Sequence, residues 1–497
     1  MGWHHHIRRL ERFAVRTVAA CLLAVMPAAA QPGVSFYTGS LPPQRAFGTG
    51  SSPDGGPSRA KDGAGRLLVL GFAGDLGFSG SGDPPSSEGS VRHGTVIPWA
   101  QLAASVSPML AADASFANLE TVISESRSLT PIEKSYTFLG DPAGLRHAID
   151  MGITVLTAAN NHAGDFGPDG IVETLSHLAG ARASGLRAFA GLGIGAARYE
   201  PASFDLGEMR VGVAAIGLAV NHAGPDGPGQ PLYASPQDFA RVVTGLADTE
   251  ADIRVLSVHY GQELVSLPGE RDSLRFRRSI DDGSADIVFG HHSHVASGIE
   301  YRRGGLILYG LGNFMHSGTQ DMSRYGACRD FGLYAKAYLW SEPGRAPVIR
   351  AVEVFPIRGM HAVPQPMPQV DAIRRIAIVN AMNVAVAGAG IPPVRLEPTS
   401  RASGLACFGN QSSYGDELAA RCRASFGPLQ QSSLTTAADI DGCGTAPAAA
   451  PPPQVAAVQR ATPPIPVPRP SLRRPLKAAA AAEKPKARAS IFQKLFD

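Results

Sequence analysis

Cysteine is scarce in this chain of 497 residues, which has five, and no two of them form a Cys-x-x-Cys pair. This spacing disfavours a structural zinc site built on thiolates. Long apolar runs are also missing, since nothing after the leader reaches the about 18 uninterrupted apolar residues that a membrane-spanning helix needs. Charge of one sign is not in excess, because the formal net charge is only +3. We therefore expect no nucleic-acid partner.

The chain begins with a basic and then apolar leader. Arginines from Arg8 to Arg16 precede an apolar run from about Val18 to Met26, and three alanines end at Ala30. This order is typical of a secretory signal peptide, so we predict that residues 1–30 are removed. Export to the periplasm, the cell envelope or the medium would follow. Residues 31–65 are rich in Gly, Ser and Pro and are predicted to be flexible.

The cysteines outside this leader suggest disulfide bonds. They are Cys328, Cys407, Cys422 and Cys443. Four cysteines in an exported chain indicate two disulfides, and three pairings are open. Three of them fall between residues 407 and 443 of a predicted C-terminal extension, residues 361–445, and crosslinks would stabilise that stretch because it is polar and has little apolar periodicity.

The last segment, residues 446–497, is dominated by Ala and Pro and carries nine Lys or Arg residues against two acidic ones. Such a composition cannot bury a core, so we predict disorder. Two interpretations are open. The tail is either simply solvated, or it is a cell-envelope tether whose basic residues contact anionic polymer or a membrane surface.

Residues 66–360 alternate apolar β-prone runs with helical patterns, which predicts an α/β domain. The predicted strands are 66–72, 114–120, 153–158, 254–258 and 287–289, and the predicted helices are about 98–112 and 168–183. Open α/β sheets place ligands at the carboxyl ends of their strands. Polar residues that follow these strands are therefore the candidates for a functional site.

Three of the predicted strands are followed by candidate residues for which ordinary roles stay open. Asp75 follows one predicted strand and Glu120 is the last residue of the next, and a turn acid or a cap is the alternative for each. Asn160, Asn161 and His162 stand between a strand and a helix. Helix capping explains one Asn there but explains poorly both of them together with the His.

Histidines complete the candidate set. His259 follows the strand at 254–258, and Gly290 is predicted to end the next strand, so that His292 and His294 project from it. With one residue between them, these two can direct neutral imidazole nitrogens at one divalent metal. A solvated polar loop is the alternative. Because the candidates include carboxylates, amides and imidazoles but no thiolate, one or two ions of Mn, Fe, Zn or Mg are expected.

An ordered series of motifs resembles the CapA family of capsule biosynthesis proteins. The motifs are Gly74-Asp75, Asn118-Leu119-Glu120, Asn160-Asn161-His162, residues 259–263, residues 290–294 and residues 311–314. That family is associated with poly-γ-glutamate synthesis and export and is similar in fold to calcineurin-like metallophosphoesterases. The resemblance covers roughly residues 66–358. It implies an α/β fold in which a two-sheet β-sandwich is flanked by helices in four αββα layers.

The resemblance also implies a site for two metal ions, one on each side of a shared carboxylate. That bridging ligand would be Glu120. The first ion would be held by Asp75 and His294. The second ion would be held by Asn161, His259 and His292.

Further roles are implied for residues around the metals. His162 would protonate the leaving group. Asn160 and Asn313 are candidates for substrate contact, and at Asn313 a structural role in a turn is the alternative. This chain departs from the phosphoesterase pattern at two positions. Gly77 stands where the pattern has a His, and Glu120 stands where the bridging acid is an Asp.

Two functions from different classes follow. The first is a metal-dependent hydrolase or transferase that acts on an anionic cell-envelope polymer, such as poly-γ-glutamate or a capsular polysaccharide, because paired divalent ions serve phosphoester and amide hydrolysis alike. The second is a non-catalytic assembly or export factor that binds polymer, or membrane proteins of capsule synthesis, through the same cleft. The candidate ligands favour the first function, and Gly77 favours the second.

Overall fold

The computed structural model of the chain describes residues 65–126, 128–218, 224, 226–388, 390–409 and 415–423. The predicted signal peptide, the Gly/Ser/Pro-rich segment up to residue 64 and the basic tail lie outside these residues. Among the described residues, none of the helices combines the length and the apolar character that crossing a membrane requires.

The strands are as follows in chain order: β1 (Arg66–Gly77), β2 (Gly89–Arg92), β3 (Thr95–Pro98), β4 (Ala114–Leu119), β5 (Val122–Ile123), β6 (Leu139–Gly140), β7 (Ile153–Thr157), β8 (Ala188–Ala190), β9 (Gly193–Ile194), β10 (Ala202–Leu206), β11 (Met209–Gly217), β12 (Pro228–Gly229), β13 (Ile253–His259), β14 (Ile287–His291), β15 (Ile299–Arg302), β16 (Gly305–Leu308), β17 (Asn313–His316), β18 (Gly332–Ser341), β19 (Val348–Arg358), β20 (Gln365–Pro366), β21 (Glu397–Pro398) and β22 (Gly404–Cys407). The helices are α1 (Trp99–Ala104), α2 (Pro142–Asp150), α3 (Gly167–Ala181), α4 (Pro236–Ala247), α5 (Glu270–Asp281), α6 (Gln369–Val386) and α7 (Gly415–Arg423).

Two sheets form the centre of the fold. The larger has ten strands, in the order β21-β22-β19-β18-β1-β4-β7-β8, with β17 beside β1 and β20 beside β19. The smaller has six, in the order β10-β11-β13-β14-β16-β15. Strand β1 is parallel to β4 and β17, and β13 is parallel to β11 and β14. Because parallel strands end at the same edge of a sheet, the residues that follow them are brought together.

The two sheets pack face to face through a buried apolar layer. Phe72 stacks on Phe116 with ring centroids 5.0 Å apart, and Phe289 of the smaller sheet approaches Phe72 edge-on at 5.3 Å. Side chains of α1, α2 and α3 form a second core on the outer face of the larger sheet. Those of α4 and α5 form a third on the smaller sheet. The four-layer αββα sandwich implied by the resemblance is thus the fold.

Helix starts follow their sequence signals. The Asp141 carboxylate accepts a hydrogen bond from the backbone N–H of Ala143, and Pro142 occupies the first turn of α2. The Ser235 hydroxyl accepts one from the N–H of Asp238 at the start of α4, which also begins with a proline. Such caps satisfy backbone donors that a helix end leaves free, and proline needs no donor there.

Residues beyond 360 add to the same body. Side chains of α6 such as Ile376 and Met382 enter the core between the sheets, and β22 pairs with β19. A disulfide joins Cys407 in β22 to Cys422 in α7. Cys328 is also disulfide-bonded, and Cys443 lies outside the described residues.

Several local predictions are confirmed and two are wrong. The predicted strands at 114–120, 153–158 and 254–258 are β4, β7 and β13, and the predicted helix at 168–183 is α3. The helix predicted at 98–112 ends early, at Ala104. Pro108 explains this, because proline cannot donate the helical hydrogen bond to the carbonyl of Ala104 and its ring would clash with that carbonyl.

Gly290 does not end its strand, since β14 continues to His291. A Cβ added at Gly290 would lie 2.2 Å from the carbonyl oxygen of Tyr309. The glycine therefore serves close approach of the backbone after β16 rather than strand termination.

Candidate metal centre

Polar side chains from both sheets meet at one edge of the sandwich. Asp75 lies within β1 rather than after it, and Glu120 directly follows β4. His259 and His291 are the last residues of β13 and β14. The remaining members lie in β17 or in the loops after β7 and β14, and they are Asn160, Asn161, His292, His294, Asn313 and His316.

Asp75, Glu120 and His294 form the first of two groups whose ligand atoms all lie within 4.8 Å of one another. Nδ1 of His294 is 3.5 Å from Oδ2 of Asp75 and 3.9 Å from Oε2 of Glu120. All three side chains are buried. These are the residues that the family resemblance implies for the first metal and its bridging carboxylate.

Glu120, His259 and His292 form the second group by the same criterion. Nε2 of His259 is 3.3 Å from Oε1 of Glu120, and Oδ1 of Asn161 is 2.6 Å from the same nitrogen. The two oxygens of Glu120 therefore face different groups. This is the arrangement expected of a carboxylate shared by two ions.

The buried polar atoms of this centre fit a divalent cation. The Glu120 side chain is 0% exposed, yet neither of its carboxylate oxygens has a hydrogen-bond partner among the described residues. Nδ1 of His292 is likewise buried without a partner in this part of the chain. A buried ionised carboxylate is unfavourable unless it is paired or coordinates a metal. Oxygen and imidazole donors without thiolate suit Mn, Fe, Zn or Mg.

Neighbouring histidines favour the ionised form of both carboxylates in the centre. Burial opposes ionisation of Asp75, but contacts with His291 and His294 outweigh it and hold the pKa of Asp75 below its ordinary value. Burial also opposes the charge on Glu120, whose pKa is nonetheless lowered by His259 and His294. Both acids are therefore anionic at neutral pH.

The two histidines of the loop after β14 differ in charge. Burial, with His259 and His294 close by, lowers the pKa of His292 to about 3. Burial opposes the charge on His294 too, but the Glu120 and Asp75 carboxylates raise its pKa to about 10. His292 is therefore neutral, as a metal ligand must be. His294 is protonated, and its positive charge lies beside the Asp75 and Glu120 carboxylates, where a cation could replace it.

Backbone geometry in this loop turns both rings inward. The φ angles of His292 and His294 are 84° and 58°, in the left-handed region that residues with a Cβ seldom adopt. Each such residue costs about 1–3 kcal/mol, and residues of this kind cluster at functional sites. These two left-handed residues allow residues 291–294 to direct both the His292 and the His294 imidazole into the centre.

Asn160 and Asn313, predicted to contact substrate, are both buried and engaged. Nδ2 of Asn160 donates to Oδ1 of Asn118 at 3.1 Å, and its Oδ1 accepts from the N–H of His162 at 3.0 Å. Oδ1 of Asn313 is 2.9 Å from Nδ1 of His294. Each amide thus fixes a neighbouring member of the site. The geometry favours a bracing role over substrate contact at both positions.

His162 forms a buried dyad with Asp165. Its Nδ1 is 2.7 Å from Oδ2 of Asp165, whose other oxygen accepts from Nζ of Lys134 at 2.8 Å. Burial lowers the pKa of His162, although the hydrogen bond to Asp165 opposes this. Because Asp165 engages Nδ1, Nε2 is the nitrogen available to a substrate.

The family follows from comparison with known proteins. Residues 69–317, half of the chain, match the family described as "Bacterial capsule synthesis protein PGA_cap". The chain belongs to this family.

Individual relatives agree with that membership. This PGA_cap protein is 29% identical over 275 residues to the "PGA biosynthesis protein CapA" of Bacillus subtilis, covering 53% of this chain and 66% of the relative. It is 29% identical over 174 residues to the "Capsule biosynthesis protein CapA" of Bacillus anthracis, covering 33% of this chain and 41% of the relative. The chain thus spans less than two thirds of each relative.

Among solved structures, a hypothetical protein from Thermus thermophilus is similar over 61% of this chain and all of its own, with 14% identity and a TM-score of 0.35.

Three residues near the PGA_cap centre were not assigned a role from the sequence. Nδ1 of His291 lies 3.0 Å from Oδ1 of Asp75, and Nε2 of His316 lies 3.5 Å from Oε2 of Glu120. The third is Lys134, beside the His162 dyad. Adjacency to His292 could have pointed to His291. Nothing in the sequence singles out the other two.

Proposed function

We propose that this chain is an exported, metal-dependent enzyme that cleaves or transfers bonds of an anionic capsule polymer, such as poly-γ-glutamate or a capsular polysaccharide. The observation that carries the proposal is Glu120. It is a fully buried carboxylate whose two unpartnered oxygens face two separate groups of ligands. Beside it stands a histidine–aspartate dyad that can move a proton.

The ligand atoms divide into two sets around that carboxylate. Asp75 and His294 would hold one ion, and Asn161, His259 and His292 would hold the other. When bound, a pair of divalent ions supplies Lewis-acid activation of water and of the bond to be cleaved. The protein contributes a dry, fixed arrangement in which the donors need not reorganise.

His162 is the proposed proton donor to the leaving group. Asp165 accepts from Nδ1 of His162 and would stabilise the imidazolium form, while Lys134 keeps Asp165 in place. A histidine whose pKa is lowered by burial gives up a proton from Nε2 more readily than a free one. The protonated fraction of His162 falls as pH rises, so this step is favoured on the acid side of neutrality.

The polymer class rests on the relatives. Their names refer to PGA biosynthesis and capsule biosynthesis, and we extend that role to this chain. Export rests on the basic and apolar leader. Membrane proteins of capsule synthesis are proposed as partners, and the basic tail is proposed to contact the membrane surface.

The test is polymer cleavage by the purified chain. Poly-γ-glutamate and capsular polysaccharide are incubated with protein loaded with Mn²⁺, and polymer length is followed by gel electrophoresis. We expect shortening that EDTA abolishes and that His162→Ala slows by about 100-fold or more. The matched control is His177→Ala. His177 belongs to α3 and lies outside the metal centre, so this variant should retain full activity.

The second candidate is a binding factor without catalysis, which Gly77 favours because the phosphoesterase pattern has a ligand there. Binding of the same polymers without any change in their length, in protein that holds Mn²⁺, would select this alternative.

A further inference from the structure

Gly77 and His316 lie side by side on the parallel strands β1 and β17. A Cβ added at Gly77 would lie 2.6 to 2.9 Å from Cε1, Nδ1 and Nε2 of His316. Gly77 is not among the glycines with positive φ, so its backbone alone would accept a side chain. The imidazole of His316 therefore occupies the space that a side chain at position 77 would need.

The His316 ring is directed at the shared carboxylate. Its side chain is 0% exposed, and its Nε2 is 3.5 Å from Oε2 of Glu120. Neither atom has a hydrogen-bond partner among the described residues. The rings of His294 and Phe138 hold the imidazole edge-on, with centroids 5.7 and 5.1 Å away.

A backbone donor sets the tautomer of His316. The N–H of Gly318 donates to Nδ1 of His316 at 3.2 Å. A neutral imidazole that accepts at one nitrogen carries its proton on the other. Nε2 of His316 is therefore an N–H donor aimed at Glu120 and has no lone pair to offer a cation.

We infer that His316 is a positioning residue for Glu120, which donates Nε2–H to Oε2 and fixes the orientation in which both carboxylate oxygens face the two metal groups. A shift of about half an ångström brings the pair into ordinary N–H···O range. This inference rests on the proposed metal centre. It also explains why position 77 is glycine. The imidazole of His316, which belongs to β17, fills the space that a histidine side chain at position 77 would need.

The test compares Mn²⁺ affinities of three variants by isothermal titration calorimetry. In His316→Gln the amide nitrogen takes the position of the histidine Nε2. In His316→Asn the shorter side chain takes only the position of Nδ1. His316→Ala has no donor at either position. Loss of an outer partner of a metal ligand typically weakens binding about 10–100-fold. We expect Gln to bind within about threefold of wild type and Asn and Ala to bind at least about tenfold more weakly.

Unchanged affinity in His316→Ala would overturn the inference, and so would a Gln variant as weak as Ala, which would indicate direct ligation or packing. Thermal melting of the metal-free variants separates folding from affinity, because Gln and Asn should melt alike while their affinities differ.

A readout without metal keeps the inference separable from the proposed function. If wild type binds no Mn²⁺, the metal centre fails. Nitrogen-15 NMR of the metal-free protein then still reports on His316. A proton on Nε2 supports the positioning role, and a proton on Nδ1 contradicts it.

Discussion

Two buried glutamates in this protein have opposite surroundings. Glu353 is 1% exposed, and its carboxylate accepts from the Tyr338 hydroxyl at 2.6 Å, from Arg401 and from the Ser403 hydroxyl at 2.5 Å. Glu120 is 0% exposed, and neither of its oxygens has a hydrogen-bond partner within the described ranges.

The difference distinguishes a structural acid from a functional one. A buried carboxylate that is fully hydrogen-bonded rigidifies the core. A buried carboxylate without hydrogen-bond partners is unfavourable in free energy, and a bound cation can offset that cost. We therefore treat Glu353 as the internal reference for every test of Glu120.

Glu120→Gln should produce the largest effect. Two unit charges about 4 Å apart interact by about 4 kcal/mol at an effective dielectric constant of 20, so removing the Glu120 charge beside a divalent ion should cost at least that much, which is a loss of Mn²⁺ affinity of about 1,000-fold or more. Calorimetric titration with Mn²⁺ measures it. Glu353→Gln is the control and should bind Mn²⁺ like wild type, whereas equal losses in both variants would remove the distinction.

The affinity for Mn²⁺ should also depend on pH, because of His294. Its pKa is raised to about 10, so the group is protonated throughout the neutral range and a bound ion must displace that proton. Affinity should therefore increase with pH, by about tenfold per unit for one proton released, or about 100-fold from pH 6 to pH 8.

Titrations in buffers of different ionisation enthalpy count the protons released at each pH. An affinity that does not change with pH would mean that His294 is neutral before the metal binds.

Glu353→Gln should instead destabilise the fold. Hydrogen bonds to a charged group contribute about 1.5–3 kcal/mol, so we expect a loss of about 2 kcal/mol in the free energy of unfolding. Urea denaturation in EDTA measures this change. The matched Glu120→Gln variant should lose less, because its oxygens make only longer contacts, of 3.3 to 3.9 Å, with histidine nitrogens. A larger loss for Glu120→Gln would reverse the comparison.

Asn313→Ala should have the smallest effect on Mn²⁺ affinity at the centre around Glu120. The amide orients His294 through a contact of 2.9 Å, and loss of such an outer partner should weaken Mn²⁺ binding about tenfold. Asn383→Ala is a control, since that buried amide in α6 serves the backbone of Ile299 and Val394. It should lower stability without changing Mn²⁺ affinity.

Much of this site is predictable because of strand geometry. Asp75, Glu120, His259, His292 and His294 all lie at or just beyond the ends of apolar runs. Parallel strands of the two sheets bring those ends to one edge. The apolar runs also predict the strands of an α/β domain, and the family resemblance implies their arrangement in two sheets, although Pro108 shortens a helix that composition alone extends.

The roles of the other site residues depend on the orientation of their side chains, which the sequence does not give. Nothing in the sequence distinguishes an amide that faces a cleft from one that braces a loop, which is why Asn160 and Asn313 lie buried where substrate contacts were predicted. His316 lies within a strand, and its relation to Gly77 exists only in the register of β1 and β17. Two of the three partners of Glu353, Arg401 and Ser403, lie 48 and 50 residues away in the chain.

The most direct measurement is the metal content of the purified chain after incubation with Mn²⁺, by elemental mass spectrometry, beside a His292→Ala, His294→Ala double variant. His177→Ala, His361→Ala serves as the matched control, since both histidines lie outside the centre. We predict about two ions per chain, retained in the control and lost in the double variant. A folded wild-type chain without bound metal would contradict the account.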